Sequence, residues 1–260
     1  MKTTWIARLC TLAVMGATAH AGSLFFDNKT DTVSIPTQTV LGSAFTMEAV
    51  FAITGNGGFI FNEHTFGAED KQLGVASTFL WGFSFPNNPN EVLGANTAVS
   101  TNTWHHTAYV LDNGTERLYF DGVLVASRNG TGAAGNGADL PFLGAIFRNG
   151  AILDSFIGHL DSFQIQTGAA YNSNFVAPTG DMTVAATSLI YFNFNEGSGN
   201  TITNVPTGVT STLGTGFSGA TSPVFVTADP FAAPTGVPEP SSIALAAAGL
   251  AALAFRRFRK

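Results

Sequence analysis

The stretch that decides the fold is Trp104-His-His-Thr-Ala-Tyr-Val-Leu-Asp-Asn-Gly-Thr-Glu-Arg-Leu-Tyr-Phe-Asp-Gly-Val-Leu-Val-Ala-Ser127. Its aromatic and β-branched residues and its period of two predict three consecutive antiparallel strands, the first from Trp104 to Leu111. Asp121-Gly122 lies between the last two apolar runs. This dipeptide favours a type I′ hairpin, because both central residues of that turn need a positive φ. The stretch therefore predicts an all-β core.

Other segments have the same periodicity. From Phe45 to Ile53 every second residue is apolar, which places one face of a strand in a core. Further strand candidates are Leu73–Phe85, Phe156–Ile165 and Ser188–Phe194, and only Tyr171–Val176 resembles a helical turn. A composition with 23 Phe, 29 Gly and 11% charged residues suits short strands and turns rather than helices. The 260 residues are enough for one large β-sandwich.

Charge and cysteine content limit the possible partners. Between residues 22 and 237 there are five basic and sixteen acidic side chains, a net charge of −11. Such a surface repels nucleic acid and anionic membranes, and it is compatible with divalent cations and neutral glycans. The single cysteine, Cys10, lies near the amino terminus, so the folded part is expected to hold no disulfide.

Residues 1–21 are organised like a secretory signal peptide. Lys2 and Arg8 give a basic start, an apolar run follows, and Ala19 and Ala21 are the small residues expected at a cleavage site. We therefore expect the chain to be exported.

The carboxyl-terminal segment, residues 238–260, has three parts after a short linker at 231–237. It begins with Pro238-Glu239-Pro240 and continues with an apolar run from Ile243 to Phe255. As a helix this run would be roughly 20 Å long, short of a hydrocarbon core of about 30 Å. The basic end favours a marginal transmembrane helix in the inner membrane over a buried helix, because it satisfies the positive-inside bias. Its residues are Arg256, Arg257, Arg259 and Lys260.

Five segments together carry a family resemblance. They are 26–36, 45–51, 102–108, 118–125 and 157–163, in this order along the chain. Together they resemble a laminin-G-like domain of the concanavalin A-like jelly-roll superfamily over residues 24–196. The resemblance implies two packed antiparallel sheets, and we place the domain at 22–230. Lectins, adhesion modules and glucanases all use this fold.

The tail resembles the PEP-CTERM sorting signal of Gram-negative bacteria. This resemblance implies cleavage near Pro238, Glu239 and Pro240 by a membrane exosortase, so that the membrane anchor is temporary.

The sequence offers little support for catalysis. His105 and His106 are neighbours on a strand and point to opposite faces, so they do not share one metal ion; we expect one beneath a sheet and the other facing solvent. A glucanase of this fold needs carboxylates that converge on one strand face. Glu63, Glu69 and Asp70 instead surround a turn, which makes a glycan hydrolase the weaker hypothesis.

One structural Ca²⁺ is a further hypothesis. The first and last strands of a jelly roll are neighbours, which would bring Asp27 near Asp161, and related domains often carry one calcium. The alternative is that both aspartates are solvated or cap turns.

The aromatic residues Trp81, Phe83 and Phe85 alternate along one strand and precede Asn87 and Asn88. If this face were open, the rings could stack against sugars. The pattern favours a stripe in the sandwich core instead.

These observations predict a non-catalytic binding or adhesive module at the cell surface or in an exopolysaccharide or biofilm matrix, with a glycan as the expected partner. The alternatives are a structural matrix protein without a specific ligand and, less favoured, a glycan hydrolase.

Overall fold

The structure is a computed structural model, and it describes residues 22–36, 40–65, 68–85, 92–129, 140–148 and 151–231. Side chains are described in these ranges except at 64, 65, 68–70, 83–85 and 148. The predicted signal peptide and the sorting tail lie outside the described residues. The chain divides into two compact units, Met1–Asp229 and Pro230–Lys260, and all strands below belong to the first.

The described ranges contain eighteen strands and no helix, and hence no helix that could cross a bilayer. The strands are β1 (Ser23–Phe26), β2 (Val33–Ser34), β3 (Ala44–Ile53), β4 (Gly57–Thr65), β5 (Ala68–Ala76), β6 (Phe79–Phe85), β7 (Leu93–Asn96), β8 (His105–Asp112), β9 (Thr115–Phe120), β10 (Val123–Asn129), β11 (Phe142–Leu143), β12 (Ile146–Arg148), β13 (Ala151–Leu153), β14 (Gly158–Thr167), β15 (Ser188–Phe192), β16 (Thr201–Asn204), β17 (Val209–Thr212) and β18 (Val224–Val226).

Two main sheets form the sandwich. The larger has the order β10-β9-β8-β3-β14-β1-β18, with β15 also paired to β14, and the smaller has the order β2-β11-β4-β5-β6-β7. Two short hairpins, β12-β13 and β16-β17, form separate two-stranded sheets. The strands pair antiparallel throughout the described ranges. The predicted jelly-roll sandwich is confirmed.

The central three-stranded stretch folds as the sequence predicts. Strands β8, β9 and β10 pair in order at one end of the larger sheet. Both turns have two successive residues with positive φ: 47° and 93° at Asn113 and Gly114, and 47° and 77° at Asp121 and Gly122. Two type I′ hairpins therefore set the register of this edge of the sheet.

The core lies between the two sheets and is rich in phenylalanine. The predicted inward face of β3 is fully buried in it, from Phe45 to Ile53 at every second residue. Phe61 of the smaller sheet stacks on Phe163 of the larger, with ring centroids 5.1 Å apart. Val50, on the opposite face of β3, belongs to a separate cluster on the outer face of the larger sheet.

Two sequence predictions were wrong in detail. The strand candidate Leu73–Phe85 is two strands, β5 and β6, joined by a turn at Ser77-Thr78. Tyr171–Val176 contains no helical turn. It is part of an irregular segment, residues 168–187, that covers the outer face of the larger sheet, where Tyr171 stacks on Phe175 at 3.6 Å.

A carboxylate with four hydrogen-bond donors lies beneath this covering segment. Glu48 Oε1 accepts bonds from the amides of Gln164 (2.9 Å) and Gln166 (3.0 Å). Its Oε2 accepts a bond from the Tyr171 hydroxyl (2.7 Å) and lies 3.2 Å from His106 Nε2. Burial by itself raises the pKa of Glu48, but the bonds and charge that His106 and the other donors supply hold it below its usual value. The network joins β3, β8 and β14 to the segment above them.

His159 on the same outer face makes stability depend on pH. Its ring stacks on Phe25 at 4.2 Å, and its Nδ1 lies 3.1 Å from Ser23 Oγ. Burial lowers the pKa of His159 to about 4 from 6.5, against the opposing charge of Asp229. Because the folded chain holds the neutral ring, stability is complete above the unfolded pKa and falls as the pH drops from 6.5 toward 4.

We therefore expect the free energy of unfolding to fall by about 1–2 kcal/mol between pH 7 and pH 5, allowing for partial solvent screening of the ring. His159→Phe keeps the stacking on Phe25 and removes the titration, so its unfolding free energy should change less over this range. Urea unfolding at both pH values tests this. An equal acid loss in the variant and the parent would contradict the assignment to His159.

Candidate functional site

A row of four residues crosses the smaller sheet on the face turned away from the core. Phe59 pairs with Gly74, Gly74 with Trp81, and Trp81 with Gly94. Leu80, the neighbour of Trp81 on β6, is fully buried in the core, whereas Trp81 is half-buried on the other face. The sequence favoured a core stripe, and this is wrong for Trp81. The side chains of Phe83 and Phe85 lie outside the described part of the structure.

Glycines allow the aromatic rings to lie flat on the sheet. A Cβ at Gly74 would lie 2.1 Å from Trp81 Cζ2, and a Cβ at Gly94 would lie 2.1 Å from Phe79 Cζ. Any larger residue would therefore lift the ring above it. Phe59 meets the indole edge-on at 5.3 Å and Phe79 lies nearly parallel to it, 23° apart, with centroids at 6.1 Å. The orientation of Trp81 is thus fixed before any ligand arrives.

Trp81 and Phe59 line a cleft of about 720 Å³, which we call the Trp81 cleft. The other lining residues are Lys29, Gly55–Gly58, Val75, Ala76, Ile152–Ser155 and Ile157. The volume lies within the range of about 300–1,000 Å³ that small-molecule sites occupy. One aromatic surface with a few polar groups beside it is the usual composition of a site for an amphipathic ring.

The polar wall of the cleft is tied to the aromatic floor by the backbone. The carbonyl oxygen of Asp154 accepts a bond from the Phe59 amide at 2.9 Å, and Ser155 Oγ donates to the carbonyl of Lys29. The side chains of Asn56 and Asp154 are exposed at the rim. They offer an amide and a carboxylate beside a ring face, which can donate to and accept from hydroxyl groups.

Gly74 offers a direct check on the flat ring. Gly74→Ala is expected to lower the free energy of unfolding by about 2 kcal/mol, because the new methyl overlaps the indole. In a Trp81→Ala background the same change should cost much less, since the ring is gone. Thermal unfolding of the two single variants and the double variant measures this coupling. Additive effects would contradict the described position of Trp81.

The two adjacent histidines point to opposite faces, as predicted. His106 lies beneath the covering segment, 1% exposed, against Glu48. His105 packs against Phe120 at 4.8 Å on the other face of β8, and its side chain is only 9% exposed, so it is less open to solvent than expected. Its Nδ1 lies 2.9 Å from Asp121 Oδ2, and Asp121 Oδ1 accepts a bond from the His106 amide at 2.8 Å. Asp121 therefore does more than form the hairpin turn assigned to it from the sequence.

Ser100 Oγ lies 2.8 Å from His105 Nε2, which completes a serine, histidine and aspartate chain. The order of groups is that of a nucleophilic triad. Ser100 does not line the Trp81 cleft. We interpret the chain as a structural link between the loop before β8 and the β9–β10 turn.

A second, smaller cavity opens on the outer face of the larger sheet. It measures about 250 Å³, and we call it the Trp104 pocket. Its walls are Val50, Trp104, His105, His106, Asp121 and Ala177–Thr179. The Trp104 indole donates its N–H to Asp229 Oδ1 at 2.8 Å, which fixes the ring. The sequence predicts only that Trp104 begins a strand, and no local signal marks it as part of a cavity.

The two carboxylates proposed for calcium do not meet. β1 does pair with β14 as expected, but the register sets Leu24 opposite Leu160 and Phe26 opposite Gly158. Asp27 therefore extends beyond the Gly158 end, while Asp161 falls opposite Ser23 at the other end. Asp27 is exposed and its amide donates to Asp31 Oδ2, a turn-capping role for Asp31. In the described ranges no three acidic, histidine or cysteine residues cluster as metal ligands.

The three acidic residues predicted to surround a turn lie on either side of the connection between β4 and β5. Glu63 is buried and its Oε2 lies 2.6 Å from Lys71 Nζ. Glu69 and Asp70 follow on β5, and only their backbone is described. Another buried carboxylate, Glu116, accepts the Tyr109 hydroxyl at 2.8 Å and pairs with Arg128.

Comparisons with known proteins place this architecture in a family. A model described as the concanavalin A-like lectin/glucanases superfamily, of the laminin G type, matches residues 27–173. The chain belongs to this superfamily. A model of the PEP-CTERM protein-sorting motif matches residues 236–260 and indicates export with a transient membrane anchor before processing. No curated protein matches the sequence.

Three solved structures are similar to this chain to different degrees. A Bacteroides ovatus protein proposed to bind carbohydrate has a TM-score of 0.60 at 16% identity over 79% of this chain, which spans 62% of that protein. A heptameric SAP-like pentraxin from Limulus polyphemus scores 0.46 at 15% identity, with 58% of this chain and 78% of that chain covered. Domain 4 of a GH43 extracellular arabinanase from Geobacillus stearothermophilus, in complex with arabinotriose, scores 0.45 at 20% identity, with 56% and 71% covered. The likeness to the Bacteroides ovatus protein, at 16% identity, concerns the fold alone.

Proposed function

We propose that this protein is a non-catalytic carbohydrate-binding module that acts outside the cell, at the surface or in an exopolysaccharide matrix. The Trp81 cleft is the binding site. The observation that carries the proposal is the indole held flat over Gly74 on the outward face of the smaller sheet, at the floor of a 720 Å³ cleft.

A flat aromatic face suits the apolar C–H face of a sugar ring. In the proposed complex, Trp81 stacks on one ring while Asn56 and Asp154 at the rim exchange hydrogen bonds with its hydroxyl groups. The net charge of −11 over residues 22–237 favours a neutral glycan over an anionic one, because like charges repel.

The proposed route to the site of action begins with removal of the signal peptide after Ala21. The inner membrane then holds the chain through its carboxyl-terminal segment until an exosortase cleaves near Pro238, Glu239 and Pro240. Intact mass of the protein recovered from the producing organism tests both cleavages. A mass that includes residues 1–21 and 241–260 would contradict this route.

The direct test of binding is a glycan array probed with the purified protein, with and without Ca²⁺. We expect binding to one class of neutral glycan, confirmed by calorimetric titration. The calcium hypothesis, in which one Ca²⁺ supports the fold, is tested by thermal unfolding of the same protein with and without Ca²⁺. An unchanged melting temperature would contradict it. Absence of any binder in both arms would overturn the proposed function.

Further experiments distinguish two alternative functions from the proposed one. A structural matrix protein without a specific ligand would bind no glycan, while deletion of its gene would still weaken the matrix. A glycan hydrolase would release reducing ends from polysaccharides, which we do not expect, because Glu63 and Glu116 are buried in ion pairs.

A further inference from the structure

The Trp104 pocket lies on the side of the sandwich opposite to the Trp81 cleft. Val50 and His106 are on the outer face of the larger sheet, and both line the pocket. Trp81 is on the outer face of the smaller sheet. The Val50 and His106 wall of one cavity and the Trp81 floor of the other therefore lie on opposite faces of the sandwich.

The pocket combines three kinds of surface. Trp104 supplies an aromatic wall whose orientation is set by its bond to Asp229. Val50, Ala177 and Pro178 supply an apolar floor and side. The third surface is the Asp121 carboxylate.

That carboxylate is 43% exposed and already ordered by two donors. Each of its oxygens bonds one protein group and keeps a second lone-pair direction for a ligand. A fixed carboxylate beside a fixed indole matches a molecule with hydroxyl donors around an apolar face. His106 lies in the same wall, and its buried Nδ1 has no hydrogen-bond partner among the described residues.

Volume decides the size of the ligand. At about 250 Å³ the pocket is just below the range of about 300–1,000 Å³ typical of small-molecule sites, so it admits one ring rather than a chain. The Trp81 cleft is almost three times larger. From these features we infer that the Trp104 pocket is a second glycan site, which takes a single neutral sugar ring, and that the protein is bivalent.

Bivalency has a physical consequence, and it rests on the proposed function of the Trp81 cleft. Two sites on opposite faces cannot both engage one short oligosaccharide, but they can hold two polymer chains. The protein then cross-links a polysaccharide network, and its retention in that network exceeds what either site gives alone.

Fluorescence isolates the pocket. The chain has three tryptophans, and Trp5 lies in the segment proposed to be removed, so Trp81→Phe in protein that begins at Gly22 leaves Trp104 as the sole reporter. Titration of this variant with methyl glycosides of the common hexoses and N-acetylhexosamines should give a saturable change in Trp104 emission for at least one sugar. If no sugar changes the emission, the inference is overturned.

Ala177→Leu, added to this variant, fills the pocket and should weaken the titration at least 10-fold. Ala169→Leu, the same change at an exposed position of the same segment, should leave it unchanged. Asp121→Asn keeps an acceptor for the His106 amide and loses the charge, so it should also weaken sugar binding. It serves as the second test if Ala177→Leu proves unstable. Retained affinity in a folded Ala177→Leu or Asp121→Asn variant would overturn the inference.

Light scattering with a long polysaccharide separates this inference from the proposed function. The unmodified protein should form cross-linked particles, and Ala177→Leu should bind the polymer through the Trp81 cleft without cross-linking it. If the polymer binds through the Trp81 cleft and no sugar changes the Trp104 emission, only the second site is contradicted. If a sugar changes the Trp104 emission but Trp81 contributes nothing to glycan affinity, only the proposed function of the Trp81 cleft is contradicted.

Discussion

Glu48→Ala is expected to lower the free energy of unfolding by about 4 kcal/mol. The substitution leaves the amides of Gln164 and Gln166 and the hydroxyl of Tyr171 without their acceptor in a buried site. Each unpaired donor loses its hydrogen bond and stays away from water, so the costs accumulate. The covering segment should loosen at the same time, because Tyr171 is one of its anchors on the sheet. Urea unfolding followed by fluorescence measures the loss.

Two variants make this test specific. Glu48→Gln keeps the shape and one acceptor, so it should lose roughly half as much. Glu196→Ala removes an exposed glutamate that accepts one backbone bond at 2.7 Å, and it should cost less than about 1 kcal/mol. Because the folded chain lowers the pKa of Glu48, its stabilisation is present at neutral pH and is lost on acidification. Equal losses for Glu48→Ala and Glu196→Ala would contradict the role given to the network.

Trp81→Ala is expected to weaken glycan binding by about 30-fold, or about 2 kcal/mol, with little change in stability. The indole supplies most of the flat surface of the cleft, and its half-buried position means that its removal leaves only a shallow depression. Trp81→Phe should recover part of the affinity, because a smaller ring still lies over Gly74. Calorimetric titration with the best array ligand gives the affinities.

The control for this experiment is Phe25→Ala. Phe25 is also a half-buried aromatic residue, but it lies on β1 of the larger sheet and stacks on His159, away from both cavities. Its loss should leave the affinity unchanged. If Phe25→Ala weakens binding as much as Trp81→Ala, the effect comes from the stability of the sandwich rather than from the cleft.

Local chemistry made much of the fold predictable. Asp121-Gly122 and Asn113-Gly114 both favour the type I′ turn, which joins adjacent antiparallel strands. The pairing of β8, β9 and β10 in order follows from these two turns. The alternation from Phe45 to Ile53 similarly identifies the buried face of β3, because a strand between two covered faces still separates large apolar residues from Glu48 and Thr46.

The site was harder to predict, because it depends on pairing between distant strands. Alternation shows that Trp81 and Leu80 face opposite sides but does not show which side is the core. The face on which Trp81 lies depends on its neighbours across the sheet, Gly74 and Gly94. Because these residues have no side chain, they leave room for aromatic rings on the outer face. The expected proximity of Asp27 and Asp161 was wrong for the same reason. The sequence indicated that β1 and β14 are neighbours, but it did not give the register in which they pair.

The most direct test of the account is the accessibility of Trp81 itself. In a Trp104→Phe protein that begins at Gly22, Trp81 is the sole tryptophan, and acrylamide quenching reports how much of its ring meets solvent. We predict that a saturating concentration of the best array glycan lowers the quenching constant several-fold and shifts the emission to shorter wavelength. Unchanged quenching of Trp81 in protein that is fully bound to glycan would contradict the proposal that this ring is the binding surface.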